Sequence, residues 1–236
     1  MQYRKSLKIL SMVNNIAIKI CGINDSETAR ACKNVDYVGL VFYQKSPRFV
    51  TAFQAKEISK FFSKNTKKVG LFVNANIELI EYITEYVNLD FIQLHGDEDL
   101  SMIKAIKQRL NKPIIKAISI CSEKDVDLSE TFKPYCEMIL FDTKLQTPEI
   151  RGGSGISFNW NLLEKYKSKK KWMLAGGLNI KNLKKAVELT GAPIVDISSG
   201  VEVEKGVKCP EKIKELIRYV KTVSYTHLTL PTTMLV

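Results

Sequence analysis

Apolar and other positions alternate from Ile16 to Cys21, with Ile16, Ile18 and Ile20 separated by Ala17, Lys19 and Cys21. A period of two carried by β-branched residues predicts a strand, and the strand stops at Gly22. Seven further short apolar segments follow, at 35–42, 68–73, 90–94, 113–120, 138–142, 171–175 and 194–197. Helical spacing lies between them. Ser26, Thr51 and Asn179 are placed to cap helices, and Asp97, Glu98 and Asp99 to open one, where acids suit the positive end of the dipole. A helix is expected from about Asn76 to Val87, another over 159–166 and a last one over 210–220. The stretch 122–133 carries the weakest pattern and reads as an irregular or short helix.

Eight strand–helix units in strict alternation, with short and almost wholly apolar strands, predict a parallel sheet covered by helices. The length from Ile16 to about Lys221 is near the lower limit of roughly 200 residues for a single (β/α)8 barrel of the TIM type. A doubly wound sheet would carry its glycine-rich turn after the first strand. Here those turns follow strands 7 and 8, where barrels hold phosphate. The expected division is an N-terminal extension at 1–15, the barrel at 16–222, and a tail at 223–236. Lys and Arg, frequent elsewhere, are absent from that tail, which is expected to be disordered or non-native.

Composition narrows the function. A hydrophobic share of 45% supports a core. No apolar run reaches the roughly 18 residues of a membrane span, and the apolar part of the N-terminus is too short for a signal peptide. The net charge of +11 favours anionic partners. The lysines are dispersed, with one dense run at 169–171, and no nucleic-acid-binding motif occurs. A small phosphorylated substrate therefore fits better than nucleic acid. The five cysteines form no CxxC, so neither a disulfide framework nor a zinc site is expected, and a reducing cytoplasm is the simplest compartment.

Active groups of a barrel sit at the C-terminal ends of its strands. Those ends hold Lys19 and Cys21, Lys45 and Arg48, Asn74, Gln93 and His95, Ser119, Asp142 and Lys144, Gly176 and Gly177, and Ser198, Ser199 and Gly200. Without a cluster of His, Asp and Glu, no metal is expected. The two glycine-containing turns can offer backbone N–H groups to a phosphate, although each also serves as a tight turn. Cys21 is either a small buried hydrophobe or a thiol activated beside Lys19. Asp142 is either a partner for a lysine or a general acid. Gln93 and His95 are equally suited to structure or to ligand contact, and Arg48 to clamping a carboxylate or phosphate.

In order along the chain, KICGI (19–23), GLVFYQKSPR (39–48), VGLFVN (69–74), QLHGDE (93–98), FDTK (141–144), GGSG (152–155), LAGGLN (174–179) and DISSGVE (196–202) fall at nearly every strand end. With these motifs the chain resembles the phosphoribosylanthranilate isomerase family over 16–219. The resemblance implies an Amadori rearrangement of N-(5-phosphoribosyl)anthranilate to 1-(2-carboxyphenylamino)-1-deoxyribulose 5-phosphate in L-tryptophan biosynthesis, without cofactor or metal. It places the general base on Cys21 and the general acid on Asp142. It puts Arg48 at the anthranilate end; from their strand-end positions Gln93 and His95 are expected beside it as substrate-binding residues, and from their turns Gly176, Gly177, Ser198, Ser199 and Gly200 as phosphate-binding ones. A monomer or homodimer with no nucleic-acid or membrane partner is expected. Gln44, Ser154 and Asn159 depart from the residues common in that family, and none of the three is a catalytic candidate.

Two other readings compete. Another phosphate-binding barrel, indole-3-glycerol-phosphate synthase, would show more Lys and Glu at strand ends, and the histidine-pathway isomerases would place aspartates on strands 1 and 5. A basic barrel that binds nucleic acid without catalysis would leave the pairing of Cys21 with Asp142 unexplained.

Overall fold

The computed structural model describes residues 16–143 and 159–226. The expected N-terminal extension, Lys144, the GGSG segment and the end of the tail lie outside the described residues. Eight parallel strands close into a barrel in chain order: β1 (Ala17–Cys21), β2 (Tyr37–Val41), β3 (Lys67–Phe72), β4 (Phe91–Leu94), β5 (Ile114–Ile120), β6 (Met138–Thr143), β7 (Trp172–Leu174) and β8 (Ile194–Ile197). Strand β8 returns to β1, with Lys19 level with Asp196, and Cys21 of β1 is level with Gly39 of β2.

Because successive side chains point to opposite faces of a strand, each strand feeds two cores. Inside the barrel pack Val69, Ile115, Met138, Leu140, Met173 and Ile194. Between barrel and helices lies a larger core that includes Ile18, Ile20, Ile92, Leu94, Ile118 and Phe141. The same alternation sends Lys19 and Cys21 of β1, and Gln93 and His95 of the β4 end, to the inside. The aligned motifs therefore meet at one end of the barrel.

The helices follow the sequence reading with local shifts. Asp25, rather than Ser26, caps α1 (Ser26–Ala31) by accepting from the Thr28 N–H. A reciprocal Thr51–Gln54 box opens α2 (Ala52–Ser59), and Asn76 caps α3 (Ile77–Val87). Asp99 caps α4 (Leu100–Leu110), leaving Glu98 to turn inward. The weak stretch is a regular ten-residue helix, α5 (Glu123–Phe132). There the Asp125 carboxylate accepts from the N–H groups of Cys121 and Ser122. Burial opposes its charge, but these hydrogen bonds prevail and hold it at a pKa of about 2.

Further along, the helix expected at 159–166 is only a 3₁₀ turn, Trp160–Leu163. Asn179 does not start a helix. Its N–H is taken by the Asn182 side chain, and α6 spans Leu183–Thr190. A hairpin that the apolar pattern does not announce, β9 (Glu202–Glu204) and β10 (Val207–Lys208), stands between β8 and α7 (Pro210–Thr226). That last helix enters the expected tail by four residues, 223–226, because no glycine or proline interrupts the chain before Pro231.

Candidate active site

The C-terminal ends of the strands surround a cavity of about 600 Å³, counted to its open mouth. Its walls include Cys21, Arg48, His95, Asp142, the Gly176–Gly177 turn and the Ser198–Ser199 turn. Eight of the ten expected site residues thus face one space. Gln93 and Gly200 do not line it. Gln93 is wholly buried below His95, and Gly200 is packed on the neighbouring turn, where a Cβ would stand 3.0 Å from the Asn179 Cα.

Cys21 is almost fully buried at the end of β1. The absence of a side chain at Gly39 gives it room, since a Cβ there would stand 2.7 Å from the Cys21 sulfur. On balance the thiol is held above its ordinary value: burial pushes it up most, Lys19 pulls against this, Asp196 adds to it, and Lys208 and Arg48 pull it down. Lys19 is not at the mouth. It is completely buried beneath the cavity, with its Nζ 2.8 Å from Asp196 Oδ2. Burial opposes the ammonium, but Asp196 and Cys21 outweigh it and hold Lys19 protonated.

Across the cavity, Asp142 Oδ1 accepts the Thr143 N–H at 2.7 Å, and Oδ2 lies 3.3 Å from His95 Nε2. The other ring nitrogen, Nδ1, lies 2.9 Å from Gln93 Nε2. The loop carrying His95 is held by Glu98, which accepts from the N–H groups of Asn74 and Gly96 and pairs with Lys116 at 2.9 Å.

Arg48 enters from the loop after β2, and its guanidinium grips Glu202 of β9 with two bonds, Nε to Oε1 at 2.6 Å and Nη2 to Oε2 at 2.8 Å. Lys208 of β10 pairs with the same carboxylate and donates to the Ser198 carbonyl at 3.1 Å. Burial opposes the charge on Glu202, but Arg48 and Lys208 overcome it and hold the group at about 2. Ser198 Oγ in turn donates to the Cys21 carbonyl at 3.0 Å. Sequence reasoning missed Glu202 and Lys208. The available signal was a pair of opposite charges flanking Gly206, which has φ +90° and fits the tight hairpin.

Gly176 and Gly177 have φ of 87° and 62°, which suits glycine. The Gly177 carbonyl accepts from Asn182 Nδ2 at 2.9 Å. This turn and the Ser198–Ser199 turn at the next strand end suit an anion, while the thiol and carboxylate on the same cavity suit proton transfer. Among the described residues, no group of three or more His, Cys, Asp or Glu could hold a metal ion.

A family model described as N-(5'phosphoribosyl)anthranilate (PRA) isomerase matches residues 18–219. The N-(5'-phosphoribosyl)anthranilate isomerase of Bacillus cereus (strain AH187) is 44% identical over 204 residues, covering 85% of this chain and 95% of its own. That of Paramagnetospirillum magneticum is 38% identical over 206 residues, covering 86% and 96%. Among solved structures, the phosphoribosyl anthranilate isomerase of Thermotoga maritima superposes with a TM-score of 0.78 at 35% identity, over 88% of this chain and 99% of that one. Another matches at a TM-score of 0.76 and 33% identity, with coverage of 88% and 99%, and was solved with reduced 1-(o-carboxyphenylamino)-1-deoxyribulose 5-phosphate. With the family model matched over 18–219, and with relatives of 38% and 44% identity covered almost throughout, the chain belongs to the N-(5'-phosphoribosyl)anthranilate isomerase family.

Proposed function

We propose that Cys21 and Asp142 are the base and acid with which this isomerase of tryptophan biosynthesis rearranges N-(5-phosphoribosyl)anthranilate. The observation that carries the reading is their placement in one cavity, three strands apart around the ring, with both glycine-containing turns between them. Asp142 gives a proton to the furanose ring oxygen as the C1–O bond breaks, and the nitrogen lone pair forms the C1=N bond. Cys21 as thiolate takes the proton from C2, and the released electron pair returns through C1 to nitrogen. Protonation of C1 and loss of the C2 hydroxyl proton complete the ketone, so the substrate is isomerised without net proton change. Each acid–base step is worth about 10²–10⁴-fold.

The turns after β7 and β8 hold the phosphate, which orients the sugar between the two groups. Arg48 meets the anthranilate carboxylate, a planar acceptor that suits a guanidinium. His95 stands beside Asp142 and helps to hold it. No residue in this scheme calls for a cofactor or metal.

The cytoplasm suits five free cysteines, three of them buried. No helix among the described residues is long and apolar enough to cross a membrane. The Thermotoga maritima relative is described as dimeric, and a monomer or a homodimer fits this chain. The small anionic cavity ligand leaves nucleic acid without a role. The test is turnover of phosphoribosylanthranilate generated in situ, followed by loss of its fluorescence. Fast turnover supports the reading. A folded protein that leaves this substrate unchanged contradicts it.

A further inference from the structure

The scheme above gives Gln93 no part, yet its surroundings are specific. The side chain is wholly buried on β4 and outside the cavity lining. Its Nε2 lies 2.9 Å from His95 Nδ1, and its Oε1 has no hydrogen-bond partner among the described residues. His95, two residues on and facing the same side, has its other nitrogen 3.3 Å from Asp142 Oδ2. The imidazole is therefore addressed at both nitrogens.

The demands on the ring follow from what each neighbour can do. The carboxylate that Asp142 becomes once it has given up its proton can only accept, so it calls for N–H on His95 Nε2. A neutral imidazole so protonated has only a lone pair at Nδ1, which calls for a donor, and the Gln93 NH₂ group supplies it. The opposite tautomer would set N–H against NH₂ and a lone pair against the carboxylate. Turning the amide over would suit N–H at Nδ1, but the Nε2 lone pair would then draw the Asp142 proton to the ring instead of leaving it for the substrate.

We infer that Gln93 is a positioning residue that fixes His95 as the Nε2–H tautomer and so aims a hydrogen-bond donor at Asp142. The inference rests on Asp142 being the acid. When Asp142 has given its proton to the ring oxygen it becomes a carboxylate. The Thr143 N–H on one oxygen and the His95 N–H on the other then stabilise it without rearrangement, the kind of preorganised donor set that lowers a barrier.

The test begins with ¹⁵N NMR of the imidazole groups of the whole protein near neutral pH. The chain has two histidines, His95 and His227, so a His227→Gln variant assigns the spectrum. The inference requires neutral His95 with its proton on Nε2. Gln93→Met, of similar length but with no amide, should mix the tautomers and lower kcat by about 10-fold to 100-fold, leaving KM nearly unchanged because residue 93 is outside the cavity. A wild-type ring protonated on Nδ1, or on both nitrogens, overturns the inference whatever the variant's folding. So does a folded Gln93→Met with the wild-type spectrum and kcat, or one in which only KM rises. Full activity in Asp142→Asn would overturn the acid assignment instead, while the tautomer would still be decided by the spectrum.

Discussion

Lys19 Nζ and Asp196 Oδ2 meet 2.8 Å apart at the floor of the cavity, which Asp196 lines and Lys19 underlies, both side chains buried and the Cys21 thiol close to the ammonium. The pair places one positive charge where a thiolate must form and one negative charge that keeps the lysine protonated. An opposite charge at such range favours the ionised thiol, which burial alone disfavours.

Lys19→Met should therefore do two separable things. Asp196 loses its partner while buried, which costs about 3–5 kcal/mol of stability, and thermal unfolding reads this directly. Adding Asp196→Leu should restore much of that stability. Alkylation of Cys21, followed site by site with mass spectrometry, should shift its pH midpoint upward in Lys19→Met and fall back part of the way in the double variant, which also loses the Asp196 charge that opposes the thiolate. A midpoint that does not move would remove Lys19 from the activation of the thiol.

Glu202 gives a pH signature in acid. Its folded pKa of about 2 lies below the ordinary value of 4.5, so the ionised, paired form stabilises the native state. That contribution is complete above about pH 4.5 and is lost as pH falls through 2, on the order of 3 kcal/mol in all. In Glu202→Gln the difference in stability from wild type should be largest near neutral pH and shrink through this window. Urea unfolding between pH 2 and 7 measures it. A difference independent of pH would mean that the carboxylate's charge contributes nothing.

Gly39→Ala tests how closely the base is held. A methyl group would stand 2.7 Å from the Cys21 sulfur and 3.0 Å from its Cα. Cys21 must move by a few tenths of an ångström. We expect a folded protein with kcat reduced by up to about 10²-fold and phosphate affinity close to wild type. Circular dichroism, steady-state kinetics and inorganic phosphate inhibition separate these effects.

The barrel was legible because its signal is local. Period-two apolar segments such as 16–21 and short runs such as 138–142 are bounded by polar or glycine residues, and eight of them can close only one way. Cys21, His95 and Asp142 were legible as inward residues at strand ends. What the chain did not disclose is pairing over distance. Arg48 and Glu202 are 154 residues apart, and Lys19 and Asp196 are 177. Lys19 therefore read only as a strand-end residue beside the thiol, when it is buried beneath the cavity. Gln93 and His95 share a face, but only the fold shows which of them reaches the cavity. Helix α5 was misjudged because its regularity depends on Asp125 holding the first turn, not on an apolar stripe.

The most direct test of the account is single-turnover and steady-state kinetics of Cys21→Ala and Asp142→Ala beside the wild type, with phosphoribosylanthranilate generated in situ. Both variants should fold and bind inorganic phosphate as the wild type does, and kcat should fall in each by about 10²–10⁴-fold. A folded Cys21→Ala or Asp142→Ala that turns the substrate over at the wild-type rate would contradict the assigned base or acid.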